Sequence, residues 1–298
     1  MGIEPREWYS RSVAFVALGR EEATIARYLR GRLPHAGLHV HALVPAAEET
    51  FAEPARGETR FDRISEEIAK RFSEVRGIAV FAPLGVTVRS LAPVLHSKLT
   101  DPAVVGVDAL GRHVVSLLSG HEGGANALAL LLAELLDAEP VITTTTEAVK
   151  RHIVGVGCRR GTSADAIVDS VEEALARVAL TVSDVRWLVS AEVKRDETGL
   201  LVAADRLGLT LRWMSNERLR RWALTDSERV RRAVGLPAVA EPAALLAGTR
   251  TQCLMSRTVF RPGVTIAIAR ESSPWSGWVP EAGTIGPIEP SAPSPKPT

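Results

Sequence analysis

The chain has 298 residues, of which 46% are hydrophobic and 24% charged, with a net charge of +1. That length is natural for two domains, and the near-neutral balance offers no charge surplus to recruit nucleic acid or an anionic membrane surface. Two cysteines, Cys158 and Cys253, are too few for a disulfide framework or a thiolate metal cage. The opening residues include Glu4, Pro5, Arg6 and Glu7 where a secretory signal needs an apolar core, and the most apolar stretch, Leu128 to Leu136, is short and broken by Glu134. A cytoplasmic location is expected.

Short apolar runs alternate with amphipathic ones along the first half. Val13 to Leu18 reads as a strand, Glu21 to Leu33 as a helix, Leu38 to Leu43 as a strand, Phe61 to Val75 as a helix and Gly77 to Ala82 as a buried strand. A proline-bounded segment around Leu91 to Leu95 leads to strands over Ala103 to Val107 and His113 to Leu118, joined by the turn Asp108 to Gly111. The helix Ala125 to Ala138 and a short run, Pro140 to Ile142, close this half. Strand and helix alternation predicts ligand loops at the strand carboxyl ends.

The polar segment Thr143 to Arg151 marks a boundary, and a second unit of the same kind follows. Strands are predicted over His152 to Val156, Val185 to Ser190, Leu209 to Trp213 and Gly263 to Ala269, with helices over Ala164 to Val178, Thr198 to Leu207, Asp226 to Val234 and Ala240 to Leu246. Thr162 and Asp165 have capping-box spacing. From Ser272 the chain is proline-rich without hydrophobic period, so residues 272–298 are expected to be a disordered tail. The predicted fold is two α/β domains, 12–146 and 152–271, with mainly parallel or mixed sheets flanked by helices.

The chemistry concentrates in two loops. Ser119-Gly120-His121-Glu122-Gly123-Gly124-Ala125-Asn126 follows a strand and opens a helix, where small residues admit a ligand to the backbone and helix N–H groups favour an anion. His121 is either a general base, since histidine titrates nearest neutral pH, or a structural residue tying the loop down. Arg89, Lys98, Arg159, Arg160 and Lys194 lie near element ends, placed either to grip carboxylates or to form a solvated face. Cys158 reads as a small buried hydrophobe. No phosphate-loop, Gly-x-Gly-x-x-Gly, Gly-x-Ser-x-Gly or metal-ligand spacing is present, which weighs against a nucleotide-binding module, a serine hydrolase and a protein-bound metal.

Several stretches together resemble one family. Gly85-Val86-Thr87-Val88-Arg89, Lys98 with Asp101 to Val105, Ser116 to His121 with Gly123-Gly124-Ala125-Asn126, and Pro140 to Thr144 resemble the amino-terminal domain of the cobalt-precorrin-5A hydrolase (CbiG) family of anaerobic cobalamin biosynthesis. Gly155 to Ser163, Lys194 with Glu197 and Gly199-Leu200, Val239-Ala240-Glu241 and Val264 to Arg270 resemble its carboxy-terminal domain, shared with CobE-type proteins.

The resemblance implies opening of the lactone of a cobalt-bound contracted tetrapyrrole, with release of acetaldehyde. It implies His121 as catalytic residue, and Arg89, Lys98, Ser119, Gly120, Gly123, Gly124, Asn126, Thr143, Thr144, Arg159, Arg160, Thr162, Ser163, Lys194 and Glu197 as substrate-binding. Cobalt then arrives inside the substrate, so no protein-bound metal or other cofactor is expected. The implied partners are the cobalt-precorrin substrate and neighbouring enzymes of the pathway, with no nucleic acid and no membrane. Two departures stand out: Thr146 leads almost directly to His152, leaving no room for the middle domain that members often carry, and Ser256-Arg257 stands where a lysine is expected before the last strand. The first makes a non-catalytic corrinoid carrier the alternative reading.

Overall fold

A computed structural model describes residues 13–46, 57–121, 123–221 and 238–272. In the first half the strands are β1 (Val13–Ala17), β2 (Gly37–His41), β3 (Glu58–Phe61), β4 (Gly77–Phe81), β5 (Ala103–Val107), β6 (His113–Leu118) and β7 (Glu139–Val141). Between them run the helices α1 (Arg20–Arg32), α2 (Ile64–Glu74), α3 (Leu84–Leu91) and α4 (Ala125–Leu136). The strands form one sheet in the order β3-β2-β1-β4-β5-β6-β7. Strands β1 to β5 run parallel, and β6 is antiparallel to β5, with β7 parallel to β6.

Central strands such as β1 and β4 are buried at every position because helices cover both faces of the sheet, which is why they read as unbroken apolar runs. Phe15, Leu38, Phe81 and Val105 point to the side of α1 and α4, whereas Val16, Ile78, Val80 and Val104 meet Ile68, Phe72 and Leu91 on the other side. Between β2 and α2 lies a buried polar group. The Nδ1 of His39 is 2.8 Å from Glu67 Oε1, and Arg71 Nε is 3.0 Å from the same oxygen.

A short helix, α5 (Thr145–Ala148), leads into the second half. Its strands are β8 (His152–Cys158), β9 (Val185–Ala191), β10 (Leu211–Met214), β11 (Thr251–Arg261) and β12 (Val264–Glu271). Its helices are α6 (Ala164–Arg177), α7 (Thr198–Leu207), α8 (Asn216–Arg220) and α9 (Ala240–Leu246). The sheet order is β10-β9-β8-β12-β11, with β8, β9 and β10 parallel and β12 and β11 reversed in turn. Helices α6 and α7 cover one face through Ile167, Val171, Leu175, Leu200 and Ala203. The other face, with Trp187, Val189 and Met214, is covered by α9 and also by Leu130 of α4 and Ile142, so one apolar cluster spans both halves.

The short helices α5 and α8 had no counterpart in the sequence pattern, and three further elements departed from it. Strand β3 takes Phe61, which the periodicity had assigned to the following helix. Helix α3 opens at Leu84 behind Pro83, with Gly85 and the β-branched Val86, Thr87 and Val88 masking it. Strand β11 is mostly exposed along its 11 residues at the sheet edge, so it carries little hydrophobic alternation. The predicted helix Asp226 to Val234 and the tail beyond Ser272 lie outside the described residues. No helix among the described residues is long and apolar enough to cross a membrane.

Candidate functional site

The first candidate cluster forms where β6 turns into α4. Ser119 takes a left-handed conformation, φ 55°, and Gly124 caps α4 with φ 87°. Ser119 Oγ donates to the Asp101 carbonyl at 2.8 Å, joining this loop to the segment that carries Lys98. Asn126 ties three pieces together: its Oδ1 accepts from Ser116 Oγ at 2.8 Å, and its Nδ2 donates to Thr144 Oγ1 at 2.9 Å. Gly120 is required by packing, since a Cβ there would stand 2.6 Å from Thr144 Cγ2. Ser119, Gly120, Gly123, Gly124, Asn126 and Thr144 are therefore brought together, with the exposed Thr143 beside them.

Two expectations about this loop need correction. It follows the carboxyl end of β6, but β6 is reversed, so Leu118 pairs with Val104 at the start of β5. The loop thus lies at the amino-terminal end of the parallel strands, away from their carboxyl ends. The α4 donors are also turned inward: the N–H groups of Ala125 and Asn126 bond to the carbonyls of Ser119 and Gly120, at 3.2 and 2.9 Å. His121 itself is exposed and makes no hydrogen bond or ion pair among the described residues, so nothing there ties the loop through its ring. Arg89 is not part of the cluster; it is exposed on α3 and donates to the Gly85 carbonyl at 3.1 Å. The Asp101 carboxylate is committed to its own turn, accepting the N–H groups of His96 and Ser97 at 3.1 Å each.

The second cluster lies at the carboxyl ends of β8 and β9. A cavity of about 450 Å³ opens there, lined by Arg160, Gly161, Thr162 and Ser163 from one loop and by Glu197 and Thr198 from the other. The amino ends of α6 and α7 both face it. Glu197 is buried, accepts the Gly161 N–H at 2.9 Å and holds the buried Lys194 ammonium at 3.4 Å, with Arg160 Nε at 3.8 Å. Burying a lysine is tolerable because its carboxylate partner is adjacent. Sequence spacing pointed to a Thr162 and Asp165 capping box, but Ser163 is the cap, its Oγ accepting from Ala166 N–H at 3.3 Å. Thr162 Oγ1 bonds back to the Arg159 carbonyl at 2.8 Å and Asp165 pairs with Arg206 at 2.5 Å, so neither is free to cap.

Arg159 does not line this cavity; its side chain lies over Gly263 in the β11–β12 turn. Beneath the loop, burial pushes the Cys158 thiol up to about 11, the nearby Lys194 charge opposing this and Glu197 adding to it. Cys158 is partly buried and packs against the apolar cluster under α6 and α7.

Helix α4 sets the relation between the clusters. Asn126, at its start, belongs to the first cluster, while Glu134 near its end forms an ion pair with Arg195, the neighbour of Lys194. Eight residues of α-helix separate Asn126 from Glu134, about 12 Å along the axis. The first cluster and the Arg195 contact therefore lie towards opposite ends of α4, and the residues lining the cavity all belong to the second half. Arg160, Thr162, Ser163 and Glu197, named through the family resemblance, all line the strand-end cavity, whereas the pair that joins the halves was not legible because it depends on residues far apart in the chain.

Two family models match this chain: "Cobalamin synthesis G N-terminal" over residues 66–147 and "Cobalamin synthesis G C-terminus" over residues 152–269. The chain belongs to the cobalamin synthesis G family. The two matched stretches abut at the Thr143 to Arg151 segment. A cobalt-precorrin-5A hydrolase of Priestia megaterium is 27% identical, over 66% of this chain and 79% of that protein. Another, from Salmonella typhimurium, is 51% identical over 76 residues, 26% of this chain and 22% of that protein. The solved structure of CobE, a protein from the cobalamin biosynthetic pathway, matches 40% of this chain and 89% of its own, with 31% identity and a TM-score of 0.37.

Proposed function

We propose that this chain is a hydrolase of cobalamin biosynthesis that opens the lactone of cobalt-precorrin-5A and releases the extruded two-carbon unit as acetaldehyde. The observation that carries this reading is the second cavity, where two helix amino ends and Arg160 face one open space. A substrate edged with acetate and propionate carboxylates needs such donors. The names of the family's matched members point to the same substrate.

In this reading, water adds to the lactone carbonyl carbon as the exposed His121 imidazole takes its proton. The ring oxygen then leaves as a hydroxyl when that proton is returned, and loss of the hydroxyl proton with cleavage of the carbon–carbon bond to the macrocycle frees acetaldehyde, the bonding electron pair and a proton passing to the macrocycle. Lys98, carried by the segment bonded to the Ser119 loop, holds a carboxylate beside the reacting bond. Arg160 and the α6 and α7 amino ends hold the substrate's more distant carboxylate arms. Cobalt enters and leaves within the substrate, and no other cofactor is required.

One observation favours a second reading, a corrinoid carrier without turnover: the cavity is lined by second-half residues, whereas the histidine loop belongs to the first half. Incubation of the purified chain with cobalt-precorrin-5A under anaerobic conditions separates the two. Acetaldehyde in proportion to substrate consumed supports the hydrolase. Stoichiometric pigment retention with no acetaldehyde above a protein-free control refutes it in favour of the carrier.

A further inference from the structure

The turn that builds the cavity floor is gripped from the other half of the molecule. Residues Glu192–Lys194 form a single 3₁₀ turn after β9, followed directly by Arg195 and then by Glu197 at the α7 cap. The guanidinium of Arg195 reaches across to Glu134 on α4, the two side chains being only 19% and 13% exposed. Their contacting atoms, Arg195 Nη1 and Glu134 Oε1, are shielded from solvent. The halves also meet in the cross-half apolar cluster, with Leu130 and Ile142 from one side and Met214 and Leu219 from the other. A second cross-half pair, Arg218 with Asp137 at 3.9 Å, involves α8 and does not touch this turn.

An ion pair screened in this way is stiff, since leaving either charge alone in that setting is costly and few other arrangements satisfy both. Its position on the chain matters as much as its strength. Arg195 is adjacent to Lys194 and two residues from Glu197, whose carboxylate accepts from both the Lys194 ammonium and the Gly161 N–H at the cavity. We propose that Arg195 is a positioning residue: anchored by Glu134 of the first half, it fixes the Glu192 to Glu197 turn so that Lys194 and Glu197 hold the second half's ligand cavity in its binding shape. The first half is then a brace for a site to which it contributes no lining residue. The ligand part of this inference rests on the anion-holding reading of the cavity; the brace itself does not.

The test uses the full chain and two readouts. Hydrogen exchange measures protection of the amides from Lys194 to Leu200, and titration with cobyrinic acid, a corrin bearing free carboxylates, measures binding. Arg195→Met should lower protection at the turn at least about tenfold relative to the rest of β9, and weaken binding about fivefold or more. Asp137→Asn, which breaks the other cross-half pair, should leave both readouts near wild type. The charge-swapped double variant Glu134→Arg with Arg195→Glu should recover most of the loss in either single variant, which a general packing defect does not predict. Unchanged local protection in a folded Arg195→Met chain, or equal losses in Asp137→Asn, would overturn the brace. If wild type does not bind cobyrinic acid, the anion-holding reading falls, and amide exchange with the swap rescue still decides the brace.

Discussion

Gly199→Ala tests whether the cavity depends on the close approach of its two loops. Gly199 is the second residue of α7, and a Cβ built on it would stand 2.0 Å from the Thr162 carbonyl oxygen and 3.2 Å from its carbon. Ordinary contact begins near 3.4 Å, so the loop and helix must part by about 1 Å or more. The obstacle is backbone, which no rotamer change relieves. Two opposing effects set the stability outcome: alanine gains about 1 kcal/mol of helix propensity over glycine, and overpacking costs about 1 to 3 kcal/mol. The net loss should be about 0 to 2 kcal/mol, small enough to leave the chain folded. The displaced loop carries Arg160, Gly161 and Ser163 away from α7, and a misplacement of about 1 Å is enough to cost up to about 100-fold in turnover efficiency. Urea unfolding and anaerobic acetaldehyde release measure the two effects on the same preparation. A Gly199→Ala chain that is more stable than wild type and turns over at the wild-type rate would refute the argument, since the loops would then not need their present contact.

His121→Ala should lower acetaldehyde formation by about 100- to 10,000-fold with little change in melting temperature, because the exposed ring carries no hydrogen bond among the described residues; wild-type turnover in the folded variant would remove it as base. Iodoacetamide at pH 8 should label the exposed Cys253 well before Cys158, whose thiol burial pushes up to about 11, and mass spectrometry that finds Cys158 labelled first would contradict its burial. Burial holds the His39 pKa below the usual histidine value, opposed by Glu67 and reinforced by Arg71 and Lys70, so the folded chain keeps that imidazole neutral where the unfolded chain protonates it. The unfolded state then binds more protons just below the ordinary histidine pKa of about 6.5, and stability should fall as pH drops through that value by at most about 1.4 kcal/mol per unit from this residue; a His39→Gln chain with an undiminished acid-side slope would assign the loss to other groups.

Much of the fold was legible because parallel strands covered on both faces advertise themselves. Val13 to Ala17, Gly77 to Phe81 and Ala103 to Val107 are buried at every residue, and each was readable as a strand. Strand β11 was not, since it pairs on one side only and exposes Leu254 and Val259. In the site, Ser119, the glycines and Asn126 of the β6–α4 loop were visible as a motif, but their work is internal: Asn126 binds the loop to Ser116 and Thr144, and Ser119 binds it to the Asp101 carbonyl. Side-chain spacing cannot tell a loop built to hold a ligand from one built to hold itself.

Strand direction is the other hidden quantity, and it changes where the chemistry sits. The turn Asp108 to Gly111 is tight, its N–H groups closing on the Asp108 carbonyl and carboxylate, and a turn of that kind can only join antiparallel neighbours. That turn reverses β6, which sends the His121 loop to the opposite sheet end from the carboxyl ends of β1, β4 and β5. No such reversal intervenes before the second cavity, where β8 and β9 are parallel and lead through the 159–163 loop and the Glu192–Lys194 turn into α6 and α7. The second half therefore keeps the geometry in which open α/β sheets hold ligands, and the first half does not at His121. A turn readable in sequence thus relocates the catalytic candidate while leaving the anion-holding one in place, and Glu134 with Arg195 is one of the contacts that join the halves carrying them.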